Sequence, residues 1–181
     1  MAIRAVVSIL SELYYAQVEA LWDLLEKECG LPTMQEGSIP HFSWQIADDY
    51  DADELHNDLQ LLVKETGAFE VATNGLGVFT GDRLVIYLQV VKTPQLASMH
   101  QVLWKRTQPY STDLSPLYAP NAWMPHITLA SEDVDVNALE CIMRKLGERE
   151  LNWKMNVDNF SIVVQEEERG GYVHTKYKFR S

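Results

Sequence analysis

One order of elements occurs twice along the 181-residue chain: strand, helix, loop, a strand opened by Pro-His, helix, strand. In the first half, "IRAVVSIL" (Ile3 to Leu10) is rich in β-branched residues and reads as a strand. Ser11 stands at the N-cap of a helix whose apolar face carries Tyr14, Val18, Leu21, Trp22, Leu25 and Cys29, and Gly30 and Pro32 stop it. A loop then leads through Pro40 into "HFSWQIA". An acidic-capped helix follows, striped by Leu55, Leu59, Leu62 and Val63, and "FEVATNGLGVFTG" supplies strand and turn. In the second half, "RLVIYLQVV" is a strand, and Thr93 caps a helix opened by Pro94. A longer loop reaches "HITLA", Asp135 caps a helix that Gly147 ends, and two further strand runs flank a turn at Arg169-Gly170-Gly171.

Such a repeat predicts one domain of two similar lobes, approximately residues 1–82 and 83–181. Alternating strands and helices often build a parallel sheet. The terminal hairpin and the two-lobe repeat favour α+β instead, with helices outside mainly antiparallel strands. With 46% hydrophobic residues the chain can bury a sizeable core.

The Pro-His strands are the most informative part of the repeat. Side chains alternate across a strand. In "PHFSW", His41 and Ser43 therefore share a face, with Gln45 expected beside them, while Phe42 and Trp44 face the core. In "PHITL", His126 and Thr128 share a face, opposed by Ile127 and Leu129. A lone strand histidine is commonly just a hydrogen-bonded residue at the edge of a core. Two of them, each two residues before a hydroxyl and each in the same slot of a repeat, point to shared chemistry. Imidazole exchanges protons near neutrality. One histidine can take a proton from attacking water while the other protonates the departing oxygen of a phosphodiester. The hydroxyls can donate to the phosphoryl oxygens. The scheme calls for no metal and no cofactor.

His41-Phe42-Ser43-Trp44 and His126-Ile127-Thr128-Leu129, 85 residues apart, resemble the paired His-x-Ser/Thr-x motifs of the 2H phosphoesterase superfamily, which includes the 2′-5′ RNA ligase-like proteins. The approach "YAPNAWMPHITLA" is similar too, with Tyr118, Pro120, Trp123 and Pro125. The resemblance implies a bilobal, pseudo-two-fold fold of two sheets around a central cleft, with one motif from each lobe. It implies metal-independent hydrolysis of 2′,3′-cyclic phosphate ends of RNA or nucleotides, or of 2′-5′ phosphodiester linkages. His41 and His126 would be catalytic, and Ser43 and Thr128 would bind phosphate. Many members carry arginine just after the second motif, where this chain has Ala130, Ser131 and Glu132. A binding protein for nucleotides or RNA ends that kept the cleft without turnover is the alternative.

Composition narrows the partners. A net charge of −11 repels a long phosphate backbone, which argues against long duplex nucleic acid as a ligand, while a pocket for a short or terminal phosphate stays open. No apolar run approaches a membrane span. The N-terminal residues read as a strand rather than as a cleaved leader. Cys29 and Cys141 form no ligand pattern and read as reduced core residues, so a cytoplasmic monomer is expected. Tyr118 and Trp123 are candidates for stacking a base. Lys176, alternating with Tyr172, His174 and Lys178 in "YVHTKYKFR", could join them on a basic, aromatic face, although lysines also protect sheet edges. The run Asp48 to Asp58 with His56 reads as helix capping rather than a metal site. His100 reads as a helix-border residue.

Overall fold

The computed structural model describes residues 3–32, 34, 37–131, 133–166 and 170–180. Glu132 and Arg169 lie outside these. The described residues form ten strands: β1 (Ile3–Ile9), β2 (His41–Ala47), β3 (Asp49–Tyr50), β4 (Phe69–Phe79), β5 (Val85–Val90), β6 (Ser111–Thr112), β7 (His126–Ala130), β8 (Lys154–Val157), β9 (Asn159–Glu166) and β10 (Gly170–Lys178). The α-helices are α1 (Glu12–Cys29), α2 (Ala52–Glu65), α3 (Pro94–Thr107) and α4 (Val136–Leu146). The fold is α+β. One antiparallel sheet runs β10-β9-β1-β2 and the other β7-β5-β4-β8, with β3 and β6 as a separate short pair.

The helix ends follow local chemistry. Asp51 accepts from the backbone N–H groups of Asp53 and Glu54, Thr93 from Leu96, and Asp135 from Ala138. Ser11 occupies its N-cap without a side-chain bond. Gly30 closes α1 in the left-handed conformation, at φ 67°. Helices α1 and α4 pack against each other, with α1 also on β7, whereas α2 packs on β9, β10 and α3. Neither sheet is built from one half of the chain alone. The boundary expected at residues 82 and 83 falls in the turn between β4 and β5, which pair within one sheet, and both sheets mix strands from the two halves. The strand run expected just before the Arg169-Gly170-Gly171 turn divides at Asp158, where β8 pairs with β4 and β9 with β1.

The α1–α4 contact overturns the reading of the cysteines. Cys29 and Cys141 form a disulfide across 112 residues, and Lys145 Nζ meets Glu28 Oε2 beside it at 2.6 Å. With reduced thiols gone, so is the ground for expecting a reducing compartment. Among the described residues, no helix is long and apolar enough to cross a membrane.

His100 is also placed differently from its helix-border reading. It is 1% exposed, and its ring stacks on Trp123 at 3.9 Å between centroids. Its Nε2–H donates to the Trp44 carbonyl at 2.9 Å. Burial pushes its pKa down to about 4. The unfolded chain binds this proton below pH about 6.5, whereas the folded protein does so only below about 4. Stability is therefore whole above the unfolded value and is lost as pH falls through this window, by about 2 kcal/mol after allowance for screening. Urea unfolding between pH 7 and 4.5 is expected to show this loss, with a shallower dependence in His100→Phe.

Candidate functional site

Both motif strands are edge strands, β2 in one sheet and β7 in the other, and the two edges lie side by side. Each begins just after proline, which has no N–H to give to a ladder and is tolerated at the first residue of an edge strand. The proline carbonyls do join the sheets. Pro40 accepts from the Leu10 N–H at 3.1 Å and Pro125 from the Val90 N–H at 3.0 Å. The residue before each proline does further work. Ile39 O lies 2.5 Å from His41 Nδ1, and Met124 O lies 2.7 Å from His126 Nδ1. A carbonyl can only accept, so each Nδ1 carries the proton. Nε2 is thereby left as the working atom of both rings, a lone pair when neutral and a donor when charged.

Both imidazoles are half-buried. Burial lowers the pKa of each, against the backbone hydrogen bond that raises it. His41 is lowered further by the charge of His126, which places the two rings within electrostatic reach of each other.

A second symmetry lies one residue past each hydroxyl. Val7 pairs with Ser43 but Val6 with Gln45, so Trp44 is an extra residue in β2. Tyr87 pairs with Thr128 but Ile86 with Ala130, so Leu129 is extra in β7. Both motifs thus end in a β-bulge, a device that re-aims side chains beside functional sites. An indole N–H reaches the carbonyl before each bulge: Trp123 Nε1 donates to Ser43 O at 2.9 Å, and Trp22 Nε1 to Thr128 O at 3.2 Å.

This bulge corrects two expectations. Gln45 turns away from the His41 face and exchanges hydrogen bonds with Thr107 of α3, at 2.7 and 3.0 Å, and is fully buried. Trp123 is not free to stack on a base. It is 1% exposed, packed between His100 and Trp44, with its N–H committed to Ser43. Lys92 holds its loop by donating to the carbonyls of Trp123 and Pro120.

Tyr118 remains beside the motif. Burial raises its phenol above the ordinary value, and a hydrogen bond with the Ser43 side chain acts in the opposite direction. Lys176 does not join the motif residues. It pairs with Ser161, which pairs with Val7, which pairs with Ser43. Three strand spacings, about 14 Å, therefore separate it from Ser43. The expected basic, aromatic face of β10 is also broken. The register shifts between Val173 and Thr175, so Tyr172 (paired with Val164) and Lys176 project to opposite sides. His174 and His56 line a separate cavity of about 250 Å³ over Leu55, Ile162 and Val164.

A smaller cavity, about 90 Å³, reaches the site itself, with His41 and Thr128 in its wall beside Trp22, Met34, Val163 and Gln165. Among the described residues that line it there is no arginine or lysine. Among the described residues, no group of three or more His, Cys, Asp or Glu side chains stands ready to hold a metal ion.

Phe79 and Tyr87, which touch His126, and Gly77, which lies against the Tyr87 ring, carry no recognisable signal in the sequence. Phe79 and Tyr87 stack on each other at 4.2 Å between centroids, and both rings contact His126, at 4.9 and 5.2 Å. Their meeting depends on the pairing of β4, β5 and β7, which no local pattern records.

The sequence family model of the 2′-5′ RNA ligase superfamily matches residues 15–169. A Bacillus cereus (strain B4264) protein provisionally named a phosphoesterase is 23% identical over 146 residues, covering 77% of this chain and 78% of its own. The fold is similar to that of E. coli LigT complexed with 3′-AMP, with TM-score 0.62, 18% identity and 98% of each chain covered. The same LigT complexed with phosphate gives TM-score 0.57 at 16% identity, over 98% of this chain and 97% of that one.

Proposed function

The chain belongs to the 2′-5′ RNA ligase superfamily, and from that footing we propose that it is a metal-independent phosphoesterase. Its substrate is a 2′,3′-cyclic phosphate on an RNA end or nucleotide, or a 2′-5′ phosphodiester linkage. The observation that carries this reading is the matched pair of imidazoles, each pinned through Nδ1 to the carbonyl two residues back and each left, among the described residues, with Nε2 unclaimed. For a cyclic phosphate, one Nε2 takes a proton from water as its oxygen bonds to phosphorus. The bond from phosphorus to one ribose oxygen breaks, and the other imidazolium gives that oxygen its proton. One water is consumed and a phosphomonoester forms. Ser43 and Thr128 donate to the non-bridging oxygens, where they stabilise charge in the transition state. The 3′-AMP and phosphate held by LigT support a small-nucleotide or RNA-end ligand of this kind.

A second reading, a binding protein without turnover, is favoured by the absence of arginine and lysine among the described residues lining the cavity at His41 and Thr128. A panel of cyclic mononucleotides, cyclic-ended RNA and 2′-5′ oligonucleotides separates the two. Turnover of at least one compound, undiminished by EDTA, is the expected result. Saturable binding without product would establish the second reading, and inhibition by EDTA that added metal reverses would overturn the metal-free scheme.

A further inference from the structure

Among the ring contacts of the described residues, the two histidines are not equivalent: His126 has two aromatic partners and His41 has none. The partners arrive by sheet register. Thr128, Tyr87 and Gly77 form one lateral row across β7, β5 and β4, so their side-chain directions agree, and Phe79 lies two residues past Gly77 on the same face. Gly77 is what lets the Tyr87 ring lie down along this row. A Cβ on Gly77 would fall 2.3 Å from two ring carbons of Tyr87 and 2.6 Å from its hydroxyl oxygen. The Tyr87 ring then stacks on Phe79, and Phe79 meets the His126 ring at an interplanar angle of 84°. Tyr87 is 5% exposed. It is thus a wall behind the histidine rather than a platform for substrate.

We propose that Gly77, Phe79 and Tyr87 are positioning residues that fix the imidazole plane of His126, so that its Nε2 is aimed where the reaction needs it while Nδ1 is held by Met124. This rests on the proposed acid–base role of His126. The rings set a rotation that the single hydrogen bond to Met124 leaves free. His41, held through Nδ1 by the Ile39 carbonyl, has no aromatic ring partner among the described residues and is oriented without them. Misdirecting a catalytic group by a fraction of an ångström slows the chemical step more than it weakens binding.

The test uses Tyr87→Leu, Phe79→Leu and Gly77→Ala, each read by steady-state kinetics and by NMR of the histidine rings. Gly77 has no left-handed backbone angle, so alanine there acts through the Tyr87 ring. Each variant is expected to lower kcat by about 10- to 100-fold with KM nearly unchanged. The His126 ring signals should move and its titration shift towards the ordinary imidazole value, while the ring signals of His41, read at a pH where both imidazoles are neutral, stay. Adding Gly77→Ala to Tyr87→Leu should cost nothing more, since the ring it displaces is already gone. Should Tyr87→Leu fail to fold, Gly77→Ala and the more exposed Phe79→Leu carry the test. Unmoved His126 signals in folded variants would overturn the clamp, as would a raised KM at constant kcat. The NMR readout needs no turnover, so the clamp can fail or stand apart from the proposed reaction.

Discussion

Replacing either His41 or His126 by alanine is expected to lower kcat/KM by about 10²- to 10⁴-fold while leaving the circular dichroism spectrum unchanged. The two act on one proton inventory, so the double variant should lie close to the weaker single variant rather than at the product of both losses. The pH profile follows from the environments. The base must be neutral, so activity rises through its pKa. The acid must be charged, so activity falls above its own. Burial lowers both histidines, and the charge of His126 lowers His41 further. Both limbs therefore move to the acid side, and the kcat/KM bell should centre below the ordinary imidazole value of about 6.5. An optimum well above neutrality, or an alanine variant retaining most of its activity, would remove the two-histidine mechanism.

Reduction of the Cys29–Cys141 bond is expected to be the largest single loss of stability. The bond closes a loop of 112 residues. On the chain-entropy account such a loop is worth about 4–5 kcal/mol, and measured losses for native bridges run about 2–5 kcal/mol. For a domain of this size that lowers Tm by about 5–20 °C. Thermal unfolding with and without a phosphine reductant measures it, and Cys29→Ser should unfold at the reduced wild-type temperature and ignore the reductant. A wild-type Tm that does not respond to reductant would show that the bridge carries no stability.

The motif residues were legible because their signal is local. Proline before histidine, a hydroxyl two residues on, and apolar residues between them are read within five positions, and β2 and β7 bear out that alternation as far as Ser43 and Thr128. One residue later it fails. A bulge depends on how the partner strand sits, and Trp44 and Leu129 look like any core residue in sequence. Strict alternation therefore puts Gln45 on the wrong face, and the register break at His174 does the same to the face of β10. Trp123 looks free to stack in sequence because an aromatic residue in a loop before a motif offers no sign that its N–H is claimed by a carbonyl 80 residues earlier.

By itself the sequence determined the helices, most of the strands, the α+β class and the two histidine–hydroxyl pairs, since each rests on periodicity, capping or spacing over a few residues. Tertiary structure alone decided which strands share a sheet, that α1 and α4 meet so that Cys29 reaches Cys141, and that Phe79 and Tyr87 close on His126. These are meetings between segments tens to more than a hundred residues apart. They are set by how amphipathic faces are buried against one another, a property of the whole packed chain that no short stretch of it encodes.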